Sequence, residues 1–521
     1  MEYNVFIPTA GIGSRLGSLT KYLNKSLVSV SIKPAISHII EKYPGNIVFV
    51  IALGYKGHLV KEFIELAYPE RKFIFVDIHP YQGAGSGLGH TLISCKKHLD
   101  KPFIFHSCDT LVAEDIPPPL ENWLGIGACD KIESFRTIKI NKNKVTKFFE
   151  KNSQVDSLKK PYIGLCGVNN INLFWDKMDD CSKDGISIGE VYGLENLIPN
   201  IKAINFTWYD TGQLENLKKT RLKIKEANSP NILEKPNEEI WFVAENVIKF
   251  SSDKSFIKNR VKRSKILSPY VPSIKEHKKY MYKYKFVRGE IISECINIPL
   301  FNDLLNHSKI FWNMEQYETY PDIDLNRLCE KFYKEKTYKR IKAFHKKNEI
   351  EDSSHIINNI EVSKIETLLE RINWEKICCG KKSRFHGDFH FENILFDKDR
   401  KIFTFIDWRQ DFSEEINYGD IYYDLSKLLH GLIINHSIIN EKLFSINIEK
   451  NKKIVDYDFN RKQVLVDCEL FYYKWLKSEG FDVGKVKIIT PLIFLNIASL
   501  HHYPYSHLLY FLGKKMLSEQ V

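Results

Sequence analysis

Toward the C-terminal end of the sequence, His386-Gly387-Asp388-Phe389-His390-Phe391-Glu392-Asn393 sets an Asp and an Asn five residues apart. A strand-like run ends on Phe405-Ile406-Asp407-Trp408, placing a second Asp fourteen residues further on. Phosphoryl transfer asks for this set: one carboxylate orients or deprotonates the attacking hydroxyl, and an amide with a second carboxylate holds a metal ion on the β- and γ-phosphates. A zinc reading of His386, Asp388 and His390 competes, because alternate residues of an extended loop face one way, but it leaves Asn393 and Asp407 without a role. Near the other end, Gly11-Ile12-Gly13-Ser14-Arg15-Leu16-Gly17 follows the strand-like run Asn4–Pro8, and Lys25 comes shortly after in Asn24-Lys25-Ser26-Leu27. Glycines in such a turn let backbone N–H groups approach a phosphate, and Arg15 can neutralise it.

Two kinds of architecture must position these groups. From Val5 to about Ile204, short β-branched and aromatic runs (Asn4–Pro8, Ile47–Leu53, Lys72–Asp77, Pro102–His106) alternate with amphipathic stretches such as Ala35–Lys42 and Gly57–Leu66. That alternation predicts an α/β domain at 1–222 with a doubly wound, mostly parallel sheet. The polar stretch 223–238, with Asn228-Ser229-Pro230 and Lys235-Pro236-Asn237, reads as a linker. Beyond it, Ile240–Phe250 and Tyr280–Val287 read as strands around one basic helix, and the rest is largely helical. The order predicts a two-lobed α+β domain at 239–521, with a small lobe at about 239–298 and a helical large lobe at about 299–521.

The N-terminal motifs resemble, in order, those of the sugar-phosphate nucleotidylyltransferases over about 220 residues. The resemblance implies a GT-A-like domain in which Gly11, Gly13, Arg15 and Lys25 embrace a nucleoside triphosphate, Arg15 and Lys25 serving catalysis as well. Gln82-Gly83-Ala84-Gly85-Ser86-Gly87 resembles the segment that holds the base, so Gln82 and Gly87 are expected there. Asp109 after the strand Pro102–His106, and Asp210 in Trp208-Tyr209-Asp210-Thr211-Gly212, are expected to hold Mg²⁺, and Glu150-Lys151 to meet the acceptor sugar phosphate. In the family's reaction an acceptor phosphate oxygen attacks the α-phosphorus and pyrophosphate leaves. Both partners are anions, hence the cations and the metal. Pro8-Thr9-Ala10 before the glycine, and Asn152 after Lys151 where proline is usual, depart from the pattern.

The C-terminal motif resembles the Brenner-type motif of the aminoglycoside phosphotransferase and choline kinase superfamily, with the protein-kinase-like fold that it implies. On that resemblance Asp388 is the catalytic base, Asn393 and Asp407 hold Mg²⁺, and His386 supports the loop. Lys249 in Val247-Ile248-Lys249-Phe250 is placed like the lysine that holds ATP phosphates, and Tyr284–Val287 like the adenine hinge. Asp420 or Asp424, in the stretch Tyr418–Ser426, orients the catalytic loop or caps a helix. Two departures stand out. The helix at Lys254–Leu267 offers no acid to pair with Lys249, and no glycine lies between Leu233 and Lys249 to cover the phosphates.

The two resemblances together imply a bifunctional enzyme. A kinase would phosphorylate a small hydroxyl compound with ATP, foremost a sugar at its anomeric position, and a nucleotidyltransferase would turn the product into an NDP-sugar with a second NTP, for capsule or other surface-glycan synthesis. The alternatives are a choline or amino-alcohol kinase fused to a phosphocholine cytidylyltransferase, and one active module with the other a regulatory ligand-binding domain. A choline site needs an aromatic cage, for which Trp408, Tyr422 and Tyr423 lie close to the catalytic segments.

Composition bounds the rest. The 521 residues are 43% hydrophobic and 27% charged, as in ordinary globular chains. The apolar runs fall short of a bilayer span, and the chain enters a strand-like run without a leader pattern. Ten scattered cysteines form no CxxC pattern, so a reducing cytoplasm is the expected compartment. The net charge of +11 raises a nucleic-acid reading, yet residues 254–288 alone carry 12 Lys or Arg against one acid, Glu276. The surplus therefore belongs to the expected small lobe. It reads as a solvated basic face or as a field that attracts ATP or an anionic partner surface. Expected partners are small molecules and NTPs, with neither nucleic acid nor membrane, and a homo-oligomer is left open.

Overall fold

A computed structural model describes residues 2–152, 159–179, 188–225, 237–313, 325–449 and 453–521. The chain forms two compact units, one of Met1–Lys254 with Lys275–Phe286 and the other of Ser255–Ile274 with Val287–Val521.

The first unit is built on strands β1 (Asn4–Pro8), β2 (Val48–Leu53), β3 (Lys72–Asp77), β4 (Phe103–His106), β5 (Trp123–Ile126), β6 (Thr137–Asn141), β7 (Lys144–Phe149), β8 (Lys159–Val168) and β9 (Lys202–Asn205). They lie in the order β3-β2-β1-β4-β8-β5-β9-β7-β6. The four strands from β3 to β4 are parallel, and the six residues of β2 are all apolar, as a strand covered on both faces requires. Beyond β4 the pairing turns antiparallel at β8, with only β9 and β5 parallel. The doubly wound half therefore ends at β4, and the sheet as a whole is mixed.

Four further strands, β10 (Glu238–Val243), β11 (Asn246–Ser251), β12 (Ile274–His277) and β13 (Met281–Lys285), form a second sheet in the order β10-β11-β13-β12. The run expected at Ile240–Phe250 is thus a hairpin, turned at Ala244, which has φ 52°. This sheet, read from sequence as the small lobe of the second domain, packs into the first unit. Fully buried Trp241 meets Phe63 of helix α1 (Gly57–Ala67) edge-on at 5.1 Å and donates to the Ser29 hydroxyl at 3.0 Å. Trp241, Ile248, Phe250 and Met281 share one apolar cluster with Val5 and Phe49. Of the expected linker, residues 226–236 lie outside the described residues.

The second unit is mostly helical: α4 (Lys254–Ile266), which belongs to it from Ser255 on, α5 (Ile298–Trp312), α6 (Lys336–Asn348), α7 (Ile421–Ile433), α8 (Val483–Ala498) and α9 (Tyr505–Ser518). Strands β14 (Ile394–Asp397) and β15 (Ile402–Phe405) form an antiparallel hairpin. Helix α7 starts at Asp420, whose side chain accepts from the Tyr422 N–H. It buries Leu425, Leu428, Leu429 and Leu432 at helical spacing.

The basic stretch 254–288 is divided between the units. Arg260 and Arg263 are buried in the second unit, while Lys278 and Lys283 pair with Glu65 and Glu276 in the first. It is therefore not one exposed face. No helix among the described residues is long and apolar enough to cross a membrane.

Candidate active sites

Because β1 to β4 run parallel, the turns after β1, β3 and β4 leave the sheet at the same end, where open α/β sheets bind ligands. Gly11–Gly17, Gln82–Gly87 and Asp109 stand on those turns. Gly13 has φ +70°, and a Cβ there would lie 2.8 Å from the Lys25 Cβ, so only glycine fits. Asn24, beside Lys25, is fully buried. Its amide donates to the carbonyls of Thr9 (2.8 Å) and Tyr55 (2.6 Å) while its oxygen accepts from the Ser26 N–H. That fastens the segment carrying Lys25 to the end of β1. Lys25 Nζ then reaches Asp109 Oδ2 at 3.0 Å, and the Ser107 hydroxyl donates to Oδ1 at 2.6 Å. Burial alone would raise the Asp109 pKa, but Lys25, Ser107 and Arg15 outweigh it and hold the carboxyl at about 2.

Asp210 ends a short strand, Trp208–Asp210, that pairs antiparallel with Thr110–Val112, so the register sets it beside Asp109. It accepts from the Gly212 N–H at 2.9 Å and from the Asn216 amide at 2.6 Å. A Cβ on Gly212 would lie 2.7 Å from Asp109 Oδ2 and 3.1 Å from Asp210 Oδ1. The two carboxylates thus border one point. Burial pushes Asp210 up, and the charge on Asp109 adds to this. Two hard oxygen donors that repel each other across one point are the donor set a small divalent cation takes.

Glu150 and Lys151 follow β7. The Glu150 carboxylate accepts from Arg136 Nε at 3.2 Å, an arginine that sequence reading passed over. Burial lowers the Lys151 pKa, and so do the nearby cations Arg15 and Arg136, against weaker pulls from Asp109 and Glu190. Three cations crowded in this way suit an anionic ligand. Glu190, also unmarked by any motif in the reading, opens helix α3 (Glu190–Glu195). It is buried, its Oε2 has no hydrogen-bond partner among the described residues, and burial pushes its carboxyl up to about 7. Gln82 is exposed on its loop, where no hydrogen bond among the described residues joins it to the Lys25–Asp109 pair. Gly87 leads helix α2 (Leu88–Ser94), and its carbonyl accepts from the Thr91 hydroxyl at 2.9 Å.

In the second unit the loop His386–Asn393 is held from both sides. His386 Nε2 donates to the Ile406 carbonyl at 3.1 Å and its Nδ1 accepts from the Asp388 N–H at 3.2 Å, which requires the neutral Nε2–H tautomer. Burial lowers the His386 pKa to about 3, so that tautomer persists. With both ring nitrogens committed to backbone, His386 does not converge with Asp388 and His390 on a metal, and the zinc reading falls. Asp424 accepts from the N–H groups of His386 and Gly387, each at 2.7 Å, and from Trp312 Nε1 at 3.1 Å. Burial nevertheless pushes its carboxyl up to about 7. Asp420 instead caps α7 and accepts from the Tyr333 hydroxyl at 2.8 Å. The alternative left open between these two residues divides cleanly: Asp424 orients the loop and Asp420 caps the helix.

Asn393 donates through Nδ2 to the Asp388 carbonyl (2.9 Å) and to Asp388 Oδ2 (3.2 Å), which turns its amide oxygen away from Asp388. The backbone N–H of Ile406 donates to the Asn393 carbonyl at 2.8 Å and so sets Asp407 beside it. Asp407 has φ +58° and is ion-paired with Arg260 of α4. The helix that offers no acid to a lysine thus offers an arginine to this carboxylate. Lys427 of α7 reaches Asp388 Oδ1 at 2.8 Å. Burial raises the Asp388 pKa, but Lys427 and His390 outweigh it and hold the carboxyl well below the usual carboxylate range. Lys427 is four residues after Tyr423 and three after Asp424, a spacing that places it on the loop-facing side once α7 is known to be a helix. Lys249 is buried in the middle of β11, within the first unit.

Residues 361–439, which include Asp388, Asn393 and Asp407, match the phosphotransferase enzyme family. The N-terminal region matches bifunctional protein GlmU of Methanococcus vannielii, 27% identical over 195 residues, covering 37% of this chain and 42% of that protein. It also matches bifunctional protein GlmU of Methanococcus maripaludis, 24% identical over 229 residues, covering 40% and 51%. The chain thus spans about half the length, or less, of these curated relatives. Among solved structures, UDP-glucose pyrophosphorylase from Acinetobacter baumanii is similar over 43% of this chain and 93% of that one, with 16% identity and a TM-score of 0.35.

Proposed function

We propose that the chain is a bifunctional enzyme in which the second unit supplies a kinase that phosphorylates a small hydroxyl compound with ATP, and the first unit converts the phosphorylated product to a nucleoside diphosphate derivative. The preferred acceptor is a sugar phosphorylated at its anomeric hydroxyl, and the preferred use of the product is surface-glycan synthesis. The observation that carries the reading is that each unit gathers its own cluster of charged and metal-binding groups: Lys25, Asp109, Asp210, Arg15, Arg136 and Lys151 in one, Asp388, Asn393, Asp407 and Lys427 in the other.

In the kinase the acceptor hydroxyl attacks the γ-phosphorus, the bond from that phosphorus to the bridging oxygen breaks, and ADP leaves. Asp388 is ionised at any working pH, so it accepts the hydroxyl's hydrogen bond, aims its oxygen, and takes the proton as the bond to phosphorus forms. His386 and Asp424 keep Asp388 in place. In the nucleotidyltransferase an oxygen of the acceptor phosphate attacks the α-phosphorus and pyrophosphate leaves. Lys151 and Arg136 hold the acceptor phosphate while Arg15 and Lys25 draw charge from the triphosphate, which offsets the repulsion between two anions. Mg²⁺, held by Asp109 and Asp210 in one site and by Asn393 and Asp407 in the other, supplies further charge neutralisation when bound.

Single substitutions test the division of labour. Asp388→Asn is expected to lower ADP formation by at least about 100-fold while leaving pyrophosphate release from an added sugar 1-phosphate unchanged. Asp109→Asn is expected to do the reverse. Loss of both activities in either variant would sink the two-site reading.

A further inference from the structure

Beside Asp388 the second unit assembles more cations than the one or two that a transferring phosphoryl group recruits. Lys336, at the start of α6, places its ammonium 4.0 Å from the centre of the Phe332 ring and 5.7 Å from that of Tyr423. The Arg409 guanidinium lies over the same Phe332 ring at 4.9 Å, and Tyr423 meets that ring edge-on at 4.7 Å. Arg340, one helical turn beyond Lys336, joins them, and Lys427 completes the group from α7. Phe332 and Tyr423 hold Lys336, and Phe332 holds Arg409, without neutralising them, while Lys427 pairs with Asp388. Burial pushes Lys336 well below the usual lysine range, and Arg409, Arg340 and Lys427 push it the same way, with Asp388 the carboxylate that opposes them. Burial and Arg409 likewise lower Arg340.

The orientation of Asp388 says which substrate this group serves. Asn393 and His390 approach its Oδ2, at 3.2 and 3.6 Å, whereas Lys427 approaches Oδ1 at 2.8 Å. Lys427 therefore stands on the side of the carboxylate turned away from Asn393. Next to Lys427 on α7, His430 is buried and neither ring nitrogen has a hydrogen-bond partner among the described residues. A π-helical turn, Glu330–Glu335, carries Phe332 and leads into Lys336, an irregularity that is frequent at functional sites.

We propose that Lys336, Arg340, Arg409 and Lys427 form an anion subsite, so that the hydroxyl compound phosphorylated at Asp388 carries a carboxylate or phosphate of its own, with His430 hydrogen-bonding its polar groups. This rests on the kinase reading of the second unit and narrows its substrate class. It opposes choline: the same positive group repels a quaternary ammonium. Of the three aromatics considered for a cage, Trp408 is buried with its indole N–H donating to the Arg260 carbonyl, and Tyr423 faces Lys336.

The full chain would be assayed with ATP and glucose, glucuronic acid, glucose 6-phosphate or choline, following ADP, and the same four compounds would be titrated calorimetrically. Glucuronic acid or glucose 6-phosphate is expected to bind and react at least about 10-fold better than glucose. Lys336→Gln, and separately the half-exposed Arg340→Gln, are expected to remove that preference by raising the acceptor KM, with the ATP KM within about twofold of wild type. Preference for glucose or choline, or a rise in ATP KM instead of acceptor KM, would overturn the subsite. If no compound yields ADP above the Asp388→Asn background, the kinase reading fails. Calorimetry then still decides the subsite: anion binding lost in Lys336→Gln supports it, and binding insensitive to both variants overturns it.

Discussion

Glu190 shows how much a single buried side chain can report. Its carboxyl titrates near 7 in the folded chain, against about 4.3 when unfolded. Between these values the folded state binds more protons than the unfolded one, so the group's stabilising contribution is complete below about pH 4 and is lost as pH rises through 7. The denaturant midpoint of the first unit is expected to fall from pH 5 to pH 8, and in Glu190→Gln that part of the slope should vanish. Arg136 and Lys151, the cations that face it, pull the carboxyl the other way, but burial outweighs them and sets the sign. Nothing in the sequence around Gly189-Glu190-Val191 marks the residue, because burial is a property of the packed fold.

At the scale of the element, α7 does two separable jobs from one turn. Asp420 accepts from the Tyr422 N–H in its first turn, and Asp424, four residues on, accepts from two N–H groups of the catalytic loop. Asp424→Ala would leave two buried backbone N–H groups and the Trp312 indole N–H unpaired and let the loop drift. It is expected to lower the kinase kcat at least about 100-fold with little change in nucleotidyl transfer. Asp420→Ala removes a cap and buried partners, so it should lower the stability of the second unit by at least about 1 kcal/mol and affect kcat less. Thermal midpoints and ADP rates measured on both variants check the division. The helix pattern and the pair of acids were legible in the sequence; which acid faces the loop was not, since that depends on the rotation of α7 against it. Gly431 settles that rotation, because a Cβ there would lie 3.2 Å from the His390 Cβ.

Across the whole molecule, the boundary between the units is the clearest departure from the sequence reading. The order of strands and helices points to a kinase small lobe starting near residue 239, yet the sheet β10 to β13 shares the apolar core of the first unit. Trp241 is the seal. Trp241→Ala is expected to cost about 3–5 kcal/mol in that unit and to lower the temperature at which nucleotidyl transfer is lost. An unchanged inactivation temperature would mean the sheet contributes nothing to the unit's core.

What the sequence by itself determined was chemistry and periodicity. The spacing of Asp388, Asn393 and Asp407, the glycines before Lys25, and the strand runs at Asn4–Pro8 and Lys72–Asp77 are local signals, set by turn geometry and side-chain alternation within a few residues. The tertiary structure alone decided which distant side chains meet. Arg136 and Glu190 come to Lys151, Arg260 comes to Asp407, and Lys336 comes to Asp388 with Arg340 and Arg409 beside it. Each of these depends on packing between elements far apart in the chain, where a charge has no partner until the fold supplies one.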